Sequence, residues 1–219
     1  MVLVSHKYKF IYIKNQKVAG SSVESLFGKY CVGPKYNYTY VDDIQGRSSR
    51  FGILGTRKDD KRNWKPKRWF DMGHIKAKKI KNKIGSDKFN SYTKFSVIRN
   101  PYDKMVSLFF YNKSRKKIPN NMTFKQFVKS GKKCNNFKWH AINNISTCDY
   151  FIRYETLEED IKKMCDVLKI KDIDINNLPN HKSDTKRNNR DYREYYDEIT
   201  KKIVYEGHKI EFMRFGYKF

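Results

Sequence analysis

Residues 95–111 read FSVIRNPYDKMVSLFFY, and the change of pattern inside this stretch decides the fold. Phe95–Ile98 is a short apolar run of strand character, and RNPYD opens a helix directly behind it. Asn100 is placed to cap that helix. Pro101 suits its first position, where an N–H would have no partner anyway, and Asp103 puts negative charge in the first turn. Tyr102, Met105, Val106 and Phe109 then recur on one face.

The same alternation recurs elsewhere in the chain. Residues 8–13 (YKFIYI) read as a buried strand and KNQKVAGSS as a turn of small residues. Val23, Leu26, Phe27 and Tyr30 form the apolar face of a following helix. Residues 150–153 (YFIR) predict a third strand. A helix striped by Leu157, Ile161, Met164 and Leu168 follows it, opened by a Thr156–Glu159 capping box. A weaker box, Thr123 with Gln126, predicts a short helix that Gly131 closes, and the segment from about Tyr192 reads as one long surface helix. Between residues 33 and 73 the pattern fails, and an extended surface excursion is expected. Strands alternating with helices predict an α/β fold: a single domain over residues 1–219, with a central parallel sheet flanked by helices.

Composition narrows the function classes without choosing one. The 219 residues carry a net charge of +25, which attracts anions of every kind, from nucleotides and sulfated sugars to nucleic acid and acidic lipid. With 16 Tyr and 15 Phe, the chain can still build a core. Cys31, Cys134, Cys148 and Cys165 show no metal-ligand spacing and read as reduced thiols, so no metal is expected. The opening MVLVSHKYKFIYIK alternates like a strand and is too short and too charged for a signal peptide or a membrane span. A cytoplasmic or otherwise soluble intracellular location is expected. The sequons at Asn37, Asn112, Asn121 and Asn144 are what chance gives in an Asn-rich chain.

A small-residue loop between a first strand and its helix offers backbone N–H groups to a phosphate or sulfate, and the helix N-terminus adds partial positive charge. Here the loop is Lys17-Val18-Ala19-Gly20-Ser21-Ser22. It is not a Walker A motif, because the lysine precedes the glycine. An ordinary strand-to-helix turn has the same composition. Arg99, at the carboxyl end of a strand, stands where open α/β sheets bind ligands. It is suited to a bidentate phosphate contact or, equally, to pairing with Asp103.

Taken together, these elements resemble a known family. KVAGSS followed by an amphipathic helix is similar to the 5′-phosphosulfate loop of sulfotransferases that use 3′-phosphoadenosine 5′-phosphosulfate (PAPS). FSVIRNPYDKMVSLFFY resembles their 3′-phosphate element. DYFIRYETLEEDI and the closing YYDEITKKIVYEGHKIEFMRFGY are similar to the carbohydrate (Golgi-type, sulfotransferase family 2-like) branch. The resemblance implies a P-loop nucleotide-kinase-like sulfotransferase fold, PAPS as donor, 3′,5′-adenosine bisphosphate (PAP) as product, and a hydroxyl-bearing acceptor, most readily a glycan. By the same resemblance Lys17 stabilises charge on the bridging oxygen. Val18, the Ala19 and Gly20 amides, Ser21 and Ser22 hold the 5′-phosphate, and Arg99 and Ser107 bind the 3′-phosphate. Gln16 departs from the family, which usually has proline there.

Sulfuryl transfer in line needs cations, positioning and a group to take the acceptor proton. His74, in DMGHIKAKKI, corresponds to a family position and is the first candidate base. His140, in FKWHAIN, is the second, with a part in shaping the acceptor pocket as its other reading, and Glu24 is the reserve. Each histidine also fits an ordinary packing role. His6, His181 and His208 are given none. Residues 180–192 have the composition of a basic flap in which Lys182, Lys186 and Arg187 could meet the nucleotide. Residues 57–83 hold twelve Lys or Arg against three Asp, with Trp64 and Trp69 as candidates for stacking on a sugar. Two other classes remain at this point. A kinase-like nucleotide enzyme is weakened by the missing Walker A, and a nucleic-acid-binding protein by the absence of any recognisable module. A family member that binds PAP without catalysis is disfavoured by Lys17.

Overall fold

The computed structural model describes residues 2–40, 45–56, 68–71, 73–175 and 190–219. These cluster into two compact units. One is drawn from Met1–Asn15, Ala19–Ile98 and Lys138–His181, the other from Gln16–Val18, Arg99–Phe137 and Lys182–Phe219.

The first unit holds the sheet. Its strands are β1 (Val2–Ser5), β2 (Phe10–Ile13), β3 (Arg47–Ser49), β4 (Gly52–Leu54), β5 (Thr93–Ile98) and, after a small separate hairpin of β6 (Ala141–Ile142) and β7 (Ile145–Ser146), β8 (Tyr150–Arg153). Among the described residues the six-stranded order is β3-β4-β1-β2-β5-β8. The α/β class read from the sequence is found, and β2, β5 and β8 run parallel. Past β2 the sheet continues antiparallel through β1, β4 and β3. The reason is local. Only four residues join β1 to β2, with Lys9 in the left-handed region (φ 48°), and a connection that short can only reverse the chain. The β3–β4 hairpin lies inside the stretch where the periodicity fails. Strands of three residues carry too little pattern to be seen.

Alternation along the strands buries both faces. Val2, Val4, Ile11, Ile13 and Ile53 face one way, against Ala77 and Ile80 of α2 (Ala77–Ile84), Phe89 of α3 (Ser86–Ser91) and Tyr92 just beyond it. On the other face Phe10 and Phe95 meet Phe27 of α1 (Gly20–Phe27) edge-on or tilted, with ring centroids 5.2–5.8 Å apart. Beside β8, α7 (Leu157–Leu168) buries Ile161, Met164, Cys165 and Leu168. The Thr156–Glu159 capping box does not form. Thr156 has φ −125° and ψ 39°, outside the extended region from which a side chain reaches the N3 amide, and no side-chain cap is made. Asp160 instead accepts the Arg153 N–H at 2.8 Å.

The second unit is helical. Asn100 caps α4 (Pro101–Ser114) by accepting from the Tyr102 N–H, as the sequence predicts. Tyr102, Met105, Val106 and Phe109 of α4 pack with Phe124, Phe127 and Val128 of α5 (Phe124–Lys129) and with Val204 and Phe212. The Thr123–Gln126 box at α5 is complete. The expected long C-terminal helix is broken into a turn at Tyr192–Tyr195, α8 (Glu198–Gly207) and α9 (Lys209–Phe215). A further capping box, Asp197 with Thr200, restarts the chain at α8. Between the units in sequence lies the single turn α6 (Phe137–His140).

Candidate active site

β2 and β5 are neighbours and parallel, so the segments leaving Ile13 and Ile98 start from the same edge of the sheet, the carboxyl ends of its strands. Ser96 Oγ donates to the Ile13 carbonyl at 2.6 Å, and buried Asn15 donates from Nδ2 to the Val97 carbonyl at 2.9 Å. The two strand ends are thereby tied side by side.

The loop itself is strained. Lys17 (φ 60°) and Ala19 (φ 57°) both occupy the left-handed region, at roughly 1–2 kcal/mol for each residue with a Cβ. Gln16–Val18 belongs to the helical unit, which holds it by side chains. Asn136 accepts the Gln16 N–H and donates to the Gln16 carbonyl, both at 2.9 Å, copying a strand partner. Asn136 is fixed in turn by its own N–H donating to Glu211 at 2.6 Å, and Glu211 pairs with fully buried Lys104.

Lys17 is tied at both ends, to Arg99 just ahead of α4 and to Tyr111 within it. Its carbonyl accepts from Arg99 Nη1 at 3.3 Å, and its ammonium lies over the Tyr111 ring, 4.1 Å from the centroid. Arg99 Nε donates to Asp103 at 2.6 Å, so the pairing with Asp103 is made, and it sets the plane of the guanidinium. Asp103, Ser107 and Tyr111 follow at steps of four along α4 and share one face. Half-buried Ser107 therefore lies one turn before Tyr111. The structure brings Lys17 and Arg99 together, with Ser107 on the helix that follows Arg99. The sequence reading missed Tyr111 and Asn136. The helical step from Ser107 could have found the first, but nothing in sequence links Asn136 to Gln16, 120 positions away.

In the sheet unit the chain resumes at Ala19 and begins α1. Ala19 makes no side-chain cap and the first turn carries no acid. The Gly20 and Ser21 amides have no partner among the described residues, while the Ser22 N–H reaches back to Ala19 at 3.0 Å. An uncapped helix start of this kind suits an anion. The need for glycine at position 20 is internal. A Cβ there would lie 3.0 Å from the Tyr12 hydroxyl and 3.2 Å from the Lys14 side chain.

His74 donates from Nδ1 to the Lys14 carbonyl at 3.1 Å and stacks on Trp139 with centroids 5.4 Å apart. A carbonyl only accepts, so Nδ1 carries the proton and Nε2 keeps its lone pair. Burial lowers the His74 pKa to about 4, so the ring is neutral at pH 7. Fully buried Glu24 pairs with Lys14 at 2.5 Å. Burial pushes its carboxyl up, the Lys14 ammonium more than offsets that, and the pKa falls. Around this pair, the Tyr12 hydroxyl, Asn15 Oδ1 and Trp139 Nε1 are buried without a partner among the described residues.

His140 is buried to 1 % exposure. Its Nδ1 lies 3.0 Å from Ser146 Oγ and its ring meets Phe151 edge-on. It anchors the β6–β7 hairpin, whose two-residue turn Asn143–Asn144 has both residues at positive φ, another signal the sequence reading passed over. Trp69 packs on the apolar core of the sheet unit. Lys182, Lys186, Arg187 and Trp64 lie outside the described residues. All four cysteines are free thiols. Among the described residues no helix is long and apolar enough to cross a membrane, and no group of three or more His, Cys, Asp or Glu is arranged to hold a metal.

A lysine-bearing loop that follows the carboxyl end of a parallel strand and leads into a helix marks an α/β protein of the ligand-binding kind. The chain belongs to the sulfotransferase family, whose model matches residues 1–218. It is also similar to an "uncharacterized protein" of Archaeoglobus fulgidus, 36% identical over 95 residues, covering 39% of this chain and 74% of that protein. No solved structure matches significantly.

Proposed function

We propose that this chain, working as one sulfotransferase domain, moves the sulfuryl group of PAPS onto a hydroxyl of a carbohydrate acceptor. The observation that carries this reading is the contact of Lys17 with Arg99 and with Tyr111, one helical turn beyond Ser107 on α4. A loop lysine, an arginine at a strand end and a hydroxyl on the helix that follows suit a nucleotide with phosphates at both its 3′ and 5′ positions. The donor supplies an activated sulfuryl group, and everything else is asked of the chain.

Arg99, its plane set by Asp103, and Ser107 hold the 3′-phosphate. Lys17 meets the negative charge that builds on the bridging oxygen as its bond to sulfur breaks. The open amides at the start of α1, with Ser21 and Ser22, take the 5′-phosphate. His74 Nε2 accepts the proton of the attacking hydroxyl while Nδ1 stays anchored on the Lys14 carbonyl. His140 shapes the acceptor side from within the fold, and no metal takes part.

Titration calorimetry with PAP, followed by turnover of radiolabelled PAPS against glycans, peptides and lipids, tests the reading. Binding should be lost in Arg99→Ala and transfer in Lys17→Ala. Folded protein that neither binds PAP nor labels any acceptor sinks the proposal. Label that appears only on peptide or lipid sinks the carbohydrate part alone.

A further inference from the structure

The position of Lys17 carries an inference about Tyr111, a residue to which the family resemblance gives no role. Its ammonium rests on the face of Tyr111, 4.1 Å from the ring centroid, while its carbonyl is held by Arg99. Lys117 Nζ and the Arg115 guanidinium carbon approach the same ring less closely, at 5.2 and 5.9 Å. The phenol is only half-buried and stands outside the apolar cluster of α4, so its place is not explained by core packing. Left-handed backbone at Lys17 aims the side chain, and the ring gives it somewhere to stop.

We propose that Tyr111 is a positioning residue for Lys17: its ring holds the ammonium when no anion is present and releases it when one arrives. The order of strengths decides the direction. A cation on a phenol face is held less firmly than one making charge-assisted hydrogen bonds to phosphate or sulfate oxygens, so a bound anion outcompetes the ring. With the site empty, the ring outcompetes solvent. Lys17 then starts each turnover from one partly desolvated position on the ring, not from the many rotamers of a long, mobile side chain. The contact itself stands independently, while its catalytic consequence rests on the sulfotransferase reading above.

The test separates the two. In protein grown with lysine labelled at the ε-carbon, the Lys17 signal, assigned through Lys17→Arg, should show an upfield ring-current shift in the donor-free state. Tyr111→Leu should remove that shift and Tyr111→Phe should keep it, both with unchanged melting. PAP should draw the signal away from the ring. In turnover, Tyr111→Leu should lower kcat about tenfold with KM for PAPS nearly unchanged, the size expected of one cation–π contact, and Tyr111→Phe should restore it. An unshifted Lys17, a Lys17 signal indifferent to Tyr111→Leu, or equal losses in the Phe and Leu variants would overturn the proposal. A shifted Lys17 in protein that ignores PAP would uphold the contact and reject the sulfotransferase reading instead.

Discussion

Each unit of the molecule contains a buried Lys–Glu pair beside a histidine whose pKa burial lowers to about 4, and the two sets are finished differently. In the helical unit every atom is used. Glu211 takes Lys104 on one oxygen and the Asn136 N–H on the other. His208 donates from Nδ1 to the Val204 carbonyl at 2.9 Å and accepts the Cys134 N–H on Nε2 at 3.2 Å. In the sheet unit His74 uses only Nδ1 among the described residues, and Tyr12, Asn15 and Trp139 keep polar atoms that have no partner among them. Equal burial gives equal pKa values, so the lowered pKa alone does not mark a catalytic group. What separates the two histidines is the open nitrogen. A saturated network holds backbone in place, and an unsaturated one leaves atoms for a ligand.

The comparison breaks first on activity. His74→Ala should reduce transfer by about 10²–10⁴-fold, the usual contribution of a general base, with little change in melting temperature. His208→Ala should do the reverse, losing stability while the protein that remains folded turns over normally. Equal activity losses would erase the distinction. The next effect is on stability. Lys104→Met leaves Glu211 buried and unpaired and should cost about 3–5 kcal/mol in denaturant unfolding. Lys14 has a side chain that is 13% exposed, so Lys14→Met should cost less. An equal or larger loss at Lys14 would show the sheet-side pair to be the structural one.

The sequence exposed most of what positions the site and little of what tunes it. The strand and helix of FSVIRNPYD, the Asn100 cap and the 150–153 strand are local features, and they appear where their patterns place them. The antiparallel half of the sheet was hidden because β3 and β4 are too short for periodicity. The C-terminal helix breaks where Asp197 and Thr200 cap each other, a signal masked by continuous amphipathic spacing. At the site, Lys17 and Arg99 were visible because each sits beside a strand end. Asn136 and Trp139 act through contacts far apart in sequence, which no spacing rule reaches.

Acid should sharpen the comparison next. Both histidines have pKa values near 4 in the folded protein and an ordinary value of 6.5 outside it. Between pH 6.5 and 4 the unfolded chain binds their protons and the folded chain does not, so stability falls as pH drops through that window. His208→Gln should flatten this slope, by roughly 3 kcal/mol across the window at most, as read from melts at several pH values. A slope that survives unchanged would place the acid sensitivity elsewhere.

The smallest effect compares two tyrosine hydroxyls. Tyr196 donates to the Tyr102 carbonyl at 2.8 Å in the helical unit, so Tyr196→Phe leaves that carbonyl short of a partner and should cost about 1 kcal/mol. The Tyr12 hydroxyl is buried without a partner among the described residues of the sheet unit. Phenylalanine there removes a desolvated polar atom and keeps the ring against Phe95. Tyr12→Phe should therefore leave stability unchanged or raise it by up to about 1 kcal/mol, because no bond is lost and a desolvation penalty is lifted. Chemical denaturation of both variants under one set of conditions reads the difference. If Tyr12→Phe costs as much as Tyr196→Phe, the Tyr12 hydroxyl is already satisfied in solution, and the sheet unit is as saturated as the helical one.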